Sequence, residues 1–244
     1  MSFKDHFSGH AASYAAYRPQ YPDRLFAELA ACCAQRRRVW DCATGNGQAA
    51  RRLARYFEQV VATDASEQQV AAAEPASGVE FRVAPAEESG LADHSVDLIT
   101  VAQALHWFDI DAFFAEAQRV LAAGGVLAVW SYERCTVNPE IDRIVDAVFD
   151  AVEQFWPPER DIVESGYAGI ELPFDPLALP AICMEMRWTA DEALGYFRTW
   201  SASRRYLSAQ GSDPFVALEP GLRAAWGSGR RCMRWPLNLL AGRA

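Results

Sequence analysis

Val39-Trp40-Asp41-Cys42-Ala43-Thr44-Gly45-Asn46-Gly47 is the stretch on which the reading of this chain turns. Val39 and Trp40 read as the end of a buried strand, which Asp41 closes. Thr44 to Gly47 read as a tight turn, and Gln48 to Phe57 as a helix. A glycine-rich turn between strand and helix lets a ligand touch backbone, because no Cβ blocks the approach. The open N–H groups at the start of the helix then face that ligand. Further on, the strand Gln59-Val60-Val61-Ala62-Thr63 ends in Asp64. A carboxylate at a neighbouring strand tip suits a two-point grip on two ribose hydroxyls. These parts together describe a nucleoside crevice at the carboxyl edge of a parallel sheet.

Outward from that stretch, short apolar strands alternate with helices. Strands are expected at 38–42, 59–63, 79–84, 96–102 and 125–131, with helices near 47–57, 66–74 and 110–122, the last closed by Gly124-Gly125. Such alternation means a parallel sheet covered on both faces. Asp23 caps an earlier helix that runs through Cys33. Helix 138–156 is amphipathic, with Ile141, Val145, Val148 and Val152 at helical spacing. Five prolines mark 157–180 as an irregular excursion. A strand over Ile182–Trp188 follows, then the capping box Thr189-Ala190-Asp191-Glu192 opens a helix to about Leu207. Asp213-Pro214 opens another to about Trp226. A strand from Cys232 to Leu240 ends the pattern, and both late strands are expected at one edge of the sheet. The fold class is therefore α/β: a Rossmann-like, doubly wound, seven-stranded, mostly parallel sheet with an antiparallel edge strand and helices on both faces. We read 1–244 as a single domain, with an arm and first helix (1–35), a nucleotide-binding core (36–132), a helix and Pro-rich insertion (133–180), and edge strands with substrate-side helices (181–244).

The chain has 244 residues, 51% of them hydrophobic, which suffices for one sizeable core. A net charge of −9 argues against nucleic-acid and anionic-membrane partners. No run approaches the ~20 apolar residues of a membrane helix. Met1–His10 shows no signal peptide, and the six cysteines show neither paired nor zinc-finger spacing. They read as reduced thiols of a cytoplasmic protein, a monomer or homodimer. The four histidines lack metal-ligand spacing, so no metal is expected.

Gly45-x-Gly47-x-x-Ala50, with Asp64 about 20 residues on, also matches the dinucleotide fingerprint, so an NAD(P)-dependent oxidoreductase is the alternative. Two features favour a different nucleoside. Asp41 would repel a pyrophosphate and welcome an amino group. After the fifth strand, the chain shows no second mononucleotide half.

The whole layout resembles the class I S-adenosylmethionine-dependent methyltransferases, and most closely their small-molecule branch, which includes the trans-aconitate type. The opening stretch is similar to the family's first motif, usually Asp-x-Gly-x-Gly-x-Gly. Asp64 matches its acidic second-strand end, and Ala84-Pro85-Ala86-Glu87 its third-strand loop. Ser95-Val96-Asp97-Leu98-Ile99-Thr100 and Gln103-Ala104-Leu105-His106-Trp107-Phe108 match its fourth strand and exit. Tyr14-x-x-Tyr17-Arg18-Pro19-x-Tyr21-Pro22 resembles its N-terminal segment, Trp200-Ser201 and Trp235-Pro236 its C-terminal signatures. The first glycine of the usual motif is Ala43 here. That residue is expected to forbid positive φ while leaving binding intact. Pro85 replaces the aspartate that often takes the adenine amino group.

The resemblance implies S-adenosylmethionine as cofactor and methyl transfer to a small-molecule acceptor. Asp64, followed by Ala65, would take the ribose. Asp41 would meet the methionine amino group, directly or through water, helped by a carbonyl at Gln103-Ala104. Ala43, Gly45 and Gly47 would give close approach. The Ala86 N–H and Glu87 would meet the adenine. Tyr14 and Arg18 on the arm would clamp the cofactor carboxylate. His106 is the candidate catalytic residue, as base or as substrate donor. Trp107, Tyr21, Trp200 and Arg204 would join it around the acceptor, with residues 200 and 204 on one helix face. Arginine beside aromatics suits a carboxylate acceptor. A silent S-adenosylmethionine-binding protein is the remaining alternative.

Overall fold

The structure, a computed structural model, describes residues 17–244, so Tyr14 lies outside the described residues. A helix α1 (Asp23–Cys32) leads into β1 (Arg38–Cys42), α2 (Gln48–Leu53), β2 (Gln59–Asp64), α3 (Glu67–Ala72) and β3 (Val79–Val83). Then come β4 (Val96–Ala102), a 3-10 turn (Leu105–Trp107), α4 (Ile110–Val120) and β5 (Leu121–Ser131). Next follow α5 (Pro139–Val152), α6 (Arg160–Glu164), the two-residue β6 (Asp175–Pro176) and β7 (Cys183–Trp188). The last elements are α7 (Ala190–Arg198), α8 (Ser201–Gln210), α9 (Glu219–Trp226), β8 (Arg231–Pro236) and β9 (Asn238–Arg243). The main sheet has seven strands in the order β3-β2-β1-β4-β5-β9-β6. Strands β1 to β5 are mutually parallel, and β9 runs antiparallel to β5. The fold class read from the sequence is the one observed.

Period-two alternation places the core on both sides of this sheet. Val39, Leu98, Val126 and Ala128 join one hydrophobic cluster with Leu25 and Leu29 of α1 and Leu53 of α2. Trp40, Ile99, Leu127 and Val129 join the other with Phe113 and Ala117 of α4. The helices after β1 and β4 therefore leave on opposite faces. Their strand tips splay apart, and a crevice opens between them. Asp97 secures the far end: its Oδ2 accepts the backbone N–H groups of Arg37 (2.8 Å) and Arg38 (3.1 Å). This holds β1 and β4 in the register Val39 opposite Leu98.

The C-terminal third departs from the sequence reading. β7 and β8 do not extend the main sheet but pair with each other as a separate antiparallel two-stranded sheet. The expected strand Cys232–Leu240 is broken after Pro236, which has no N–H to continue a ladder. Leu237 instead donates to the Ile182 carbonyl, and only then does β9 enter the main sheet. The antiparallel strand is thus the sixth, with β6 outside it. β5 begins at Leu121, directly after α4, rather than at Gly125. The long helix after the capping box is two helices. Thr199 Oγ1 donates to the Tyr196 carbonyl and Ser203 Oγ to that of Phe197, satisfying the end of α7 and letting the chain turn. The capping box itself is present, Thr189 and Glu192 bonding reciprocally.

Gly47, in the left-handed region at φ +80°, starts α2 beneath the ring of Phe81. A Cβ there meets that ring at 2.7 Å. Gly47→Ala is expected to cost about 2–4 kcal/mol, from left-handed strain and overpacking together, as read by chemical denaturation.

Candidate active site

The turn after β1 is held by its own backbone: Thr44 donates to the Thr63 carbonyl of β2, and Gly47 to Thr44. Ala43 is left-handed at φ +53°, the reverse of what its Cβ led us to expect. The turn requires that conformation, and its hydrogen bonds outweigh a strain of about 1–2 kcal/mol. Gly45 is also left-handed, and among the described residues a Cβ built on it meets only Gln69 Oε1, at 3.9 Å. Among those residues, the space above Gly45 is open.

Asp64 lies at that opening. One carboxylate oxygen accepts the Gly45 N–H (2.9 Å), the other the Ser66 N–H (2.9 Å). Ser66, not Asp64, caps α3. Ala65, half-buried, sits between them.

Asp41 is buried at the tip of β1, 1% exposed. It accepts the hydroxyls of Thr44 and of Thr100 on β4 (2.6 Å for the latter). Burial pushes this carboxyl up to about 6, against the pull of those hydrogen bonds. Asp41 thus ties the turn to the neighbouring strand, each of its carboxylate oxygens accepting one threonine hydroxyl.

The third loop buries Ala86, while Glu87 turns away to accept the Asp109 N–H at the start of α4 (3.0 Å). At the β4 exit Gln103 is left-handed, φ +56°, and its side-chain amide bonds the N–H and carbonyl of Tyr132, each at 2.8 Å. Ala104 is buried beside it.

Beyond this exit is a cavity of about 90 Å³. Of the expected acceptor residues, His106, Trp107 and Trp200 line it, as do Arg18 and Gln103. Arg18 Nη1 donates to Tyr132 Oη at 2.7 Å. Two expected residues are elsewhere. Tyr21 packs edge-on against Trp130 in the core, ring centroids 5.5 Å apart. Arg204 sits one helical turn after Trp200, its N–H donating to the Trp200 carbonyl (3.2 Å), but only Trp200 of the two lines the cavity. The cavity's guanidinium comes instead from Arg160 of α6. Its Cζ lies 3.7 Å from the ring centroid of Trp156, and Nε bonds Glu164 Oε1 at 3.0 Å. Glu133 faces the same space, its carboxyl pushed up by burial. His106 Nδ1 lies 3.2 Å from Tyr167 Oη. Burial, aided by the Arg160 charge, holds the imidazole down at about 4.

The methyltransferase domain family matches residues 40–129, the segment from the first strand to the end of β5. A protein of Anaeromyxobacter dehalogenans named a type II methyltransferase is 43% identical, with TM-score 0.88 over 93% of this chain and 98% of its own. A protein of Dictyostelium discoideum named a methyltransferase is 32% identical over 92% of this chain and 87% of its own length. An uncharacterised methyltransferase of Mycobacterium tuberculosis is 33% identical over 73% and 77%. The chain belongs to the class I S-adenosylmethionine-dependent methyltransferases. The dinucleotide reading falls with this assignment. Its physical ground is visible in the sheet, where antiparallel β9 takes the place a sixth parallel strand would need.

In this methyltransferase the family segment ends at residue 129, and much of the cavity wall lies outside it. Sequence reasoning missed Arg160, Trp156, Glu133 and Tyr167. The only local signal was Trp156-Pro157-Pro158 followed by an arginine inside the Pro-rich excursion.

The raised Asp41 carboxyl gives the ligand-free enzyme a pH signature. Its folded-state value, about 6, lies above the ordinary 3.8. Its stabilising contribution is thus present at low pH and is lost as pH rises through about 6. Compared with the wild type, Asp41→Asn should gain stability by roughly 1–3 kcal/mol between pH 4.5 and 7.5, measured by urea unfolding at each pH.

Proposed function

We propose that this methyltransferase methylates a small organic acid held in the cavity beside His106. The observation that carries the reading is Arg160, a guanidinium 13% exposed and stacked on Trp156 at the wall of an aromatic cavity. Among the described residues only Nε is engaged in a hydrogen bond, by Glu164, so its terminal amino groups can meet a carboxylate. Arg18 adds a second positive charge. Glu133 shares the wall, its carboxylate paired with Arg134 Nε at 3.3 Å. Phe149 and Trp200, ring centroids 4.4 Å apart, provide the dry surroundings in which such a contact is strong.

S-adenosylmethionine would bind at the strand tips. Asp64 would accept the two ribose hydroxyls beside the open space at Gly45, with Ala65 beneath. The Ala86 N–H would meet the adenine, Glu87 being committed to α4. Gln103 and Ala104 would offer carbonyl oxygen to the methionine amino group. Asp41 would act on that group through Thr44 or a water, and Arg18 is placed to meet a carboxylate at the cavity mouth. When bound, the sulfonium supplies an activated methyl group. The protein then aligns the acceptor and excludes water.

Incubation with labelled S-adenosylmethionine and a panel of small acids, each paired with its neutral amide, should label acids only. Labelling of the amides alone defeats the reading, and tight donor binding with no product from any acid points to a silent binder. Arg160→Gln should raise the acceptor KM by ten- to a hundred-fold, about 1.5–3 kcal/mol, with donor affinity unchanged. Asp64→Asn should do the reverse, weakening the donor by at least about ten-fold in titration calorimetry while the acceptor KM at saturating donor holds.

A further inference from the structure

We propose that Tyr167 is a positioning residue. Through Nδ1 it sets the tautomer of His106, so that Nε2 carries the ring hydrogen and donates it to an anionic oxygen of the acceptor. His106 is then a hydrogen-bond donor and not a general base. The inference rests on the reading of the cavity as a site for an organic acid.

Tyr167 is fully buried, just beyond α6, in a left-handed conformation at φ +63°. A residue with a Cβ is strained there, and the surrounding structure holds it nonetheless. Its hydroxyl meets His106 Nδ1 at 3.2 Å. Among the described residues Nδ1 is the only hydrogen-bond partner of the phenolic oxygen; the nearby Ser131 Oγ, also buried, has none. A phenol has one hydrogen to give. If Tyr167 accepted from an Nδ1–H, its own hydrogen would be buried unpaired, whereas donation to Nδ1 satisfies both groups, so that hydrogen goes to Nδ1. A neutral imidazole has one N–H, which must then sit on Nε2. Nε2 makes no hydrogen bond among the described residues and is not a sealed atom, so it opens on the cavity that His106 lines.

The surroundings keep the ring neutral. Arg160 approaches it from α6, Trp107 flanks it with ring centroids 4.7 Å apart, and Tyr167 closes the far side. Across the cavity stand Arg18, Glu133, Tyr132 and Tyr196. Burial first, and the Arg160 charge second, disfavour imidazolium, and a ring held at about 4 makes a poor base near neutral pH. A donor suits the proposed acceptor better. Nε2–H holds one carboxylate oxygen. The other supplies the electron pair for the new O–C bond, and the S–C pair stays on the donor's sulfur. The acceptor arrives ionised, so no proton has to leave.

Long-range ¹H–¹⁵N spectra of the wild-type protein at neutral pH, with His106 assigned by comparison with a His106→Asn variant, read the tautomer directly. Nε2 should show the protonated, pyrrole-like shift and Nδ1 the unprotonated one. The opposite pattern overturns the proposal. In Tyr167→Phe the preference should vanish and the acceptor KM should rise about ten-fold at unchanged donor affinity. That deficit should shrink as pH falls through the imidazole value, because imidazolium carries hydrogen on both nitrogens. A deficit independent of pH counts against the idea. If Tyr167→Phe does not fold, the wild-type spectra decide alone. They need no acceptor, so a failed acid panel with the Nε2–H tautomer present refutes only the acceptor class.

Discussion

Asp41 is a carboxylate placed where water cannot reach it, and the geometry of the site follows from how it is satisfied. Its two oxygens take one hydroxyl from the turn of its own strand and one from β4. An unpaired buried charge would cost several kcal/mol, so neither threonine is free to wander. The turn is thereby locked to the strand across the topological switch point. The left-handed Ala43 and Gly45 are held in place by the same constraint. A cation bound nearby would favour the ionised form that burial resists, which couples donor binding to the state of one hidden group.

The second half of the site has a different construction. Its walls come from Arg18, from the end of β5, from α5 and α6, and from the α7–α8 junction. These segments lie far apart in sequence and meet only through the aromatic cluster of Phe149, Trp156, Tyr196 and Trp200. Arg160 is the hinge between chemistry and packing. It stacks on Trp156 and lies 5.8 Å from Phe149, so its charge is aimed by the same rings that exclude water.

This difference explains what was legible in the sequence. The motif at 39–47, the strand ending in Asp64 and the capping box at Thr189 are local patterns, in which spacing alone dictates geometry. The five parallel strands and their order class followed from alternation. The C-terminal strands were misplaced because pairing partners are nonlocal: nothing within 232–240 says that β8 seeks β7 while β9 seeks β5, save Pro236 at the break. The helical spacing that pointed to Arg204 is present, its N–H donating to the Trp200 carbonyl, yet the cavity is lined by Arg160, which comes from a distant segment. Tyr21 sits in an aromatic motif that suggested a pocket, yet its ring completes the core under Trp130.

The two halves meet at Gln103. Its left-handed backbone ends β4, and its side-chain amide substitutes for a strand neighbour by bonding both backbone groups of Tyr132. Tyr132 in turn receives Arg18 and faces the cavity with Glu133. One amide therefore fixes the distance between the strand tips and the cavity wall, the proposed donor and acceptor sides. Methyl transfer requires the nucleophile, carbon and sulfur to stand in line, and an error near 1 Å is costly. A neutral two-point contact to backbone serves that purpose better than a charged side chain. It keeps the same geometry at any pH in which the protein is folded, and leaves the titratable groups on either side free to respond to what they bind.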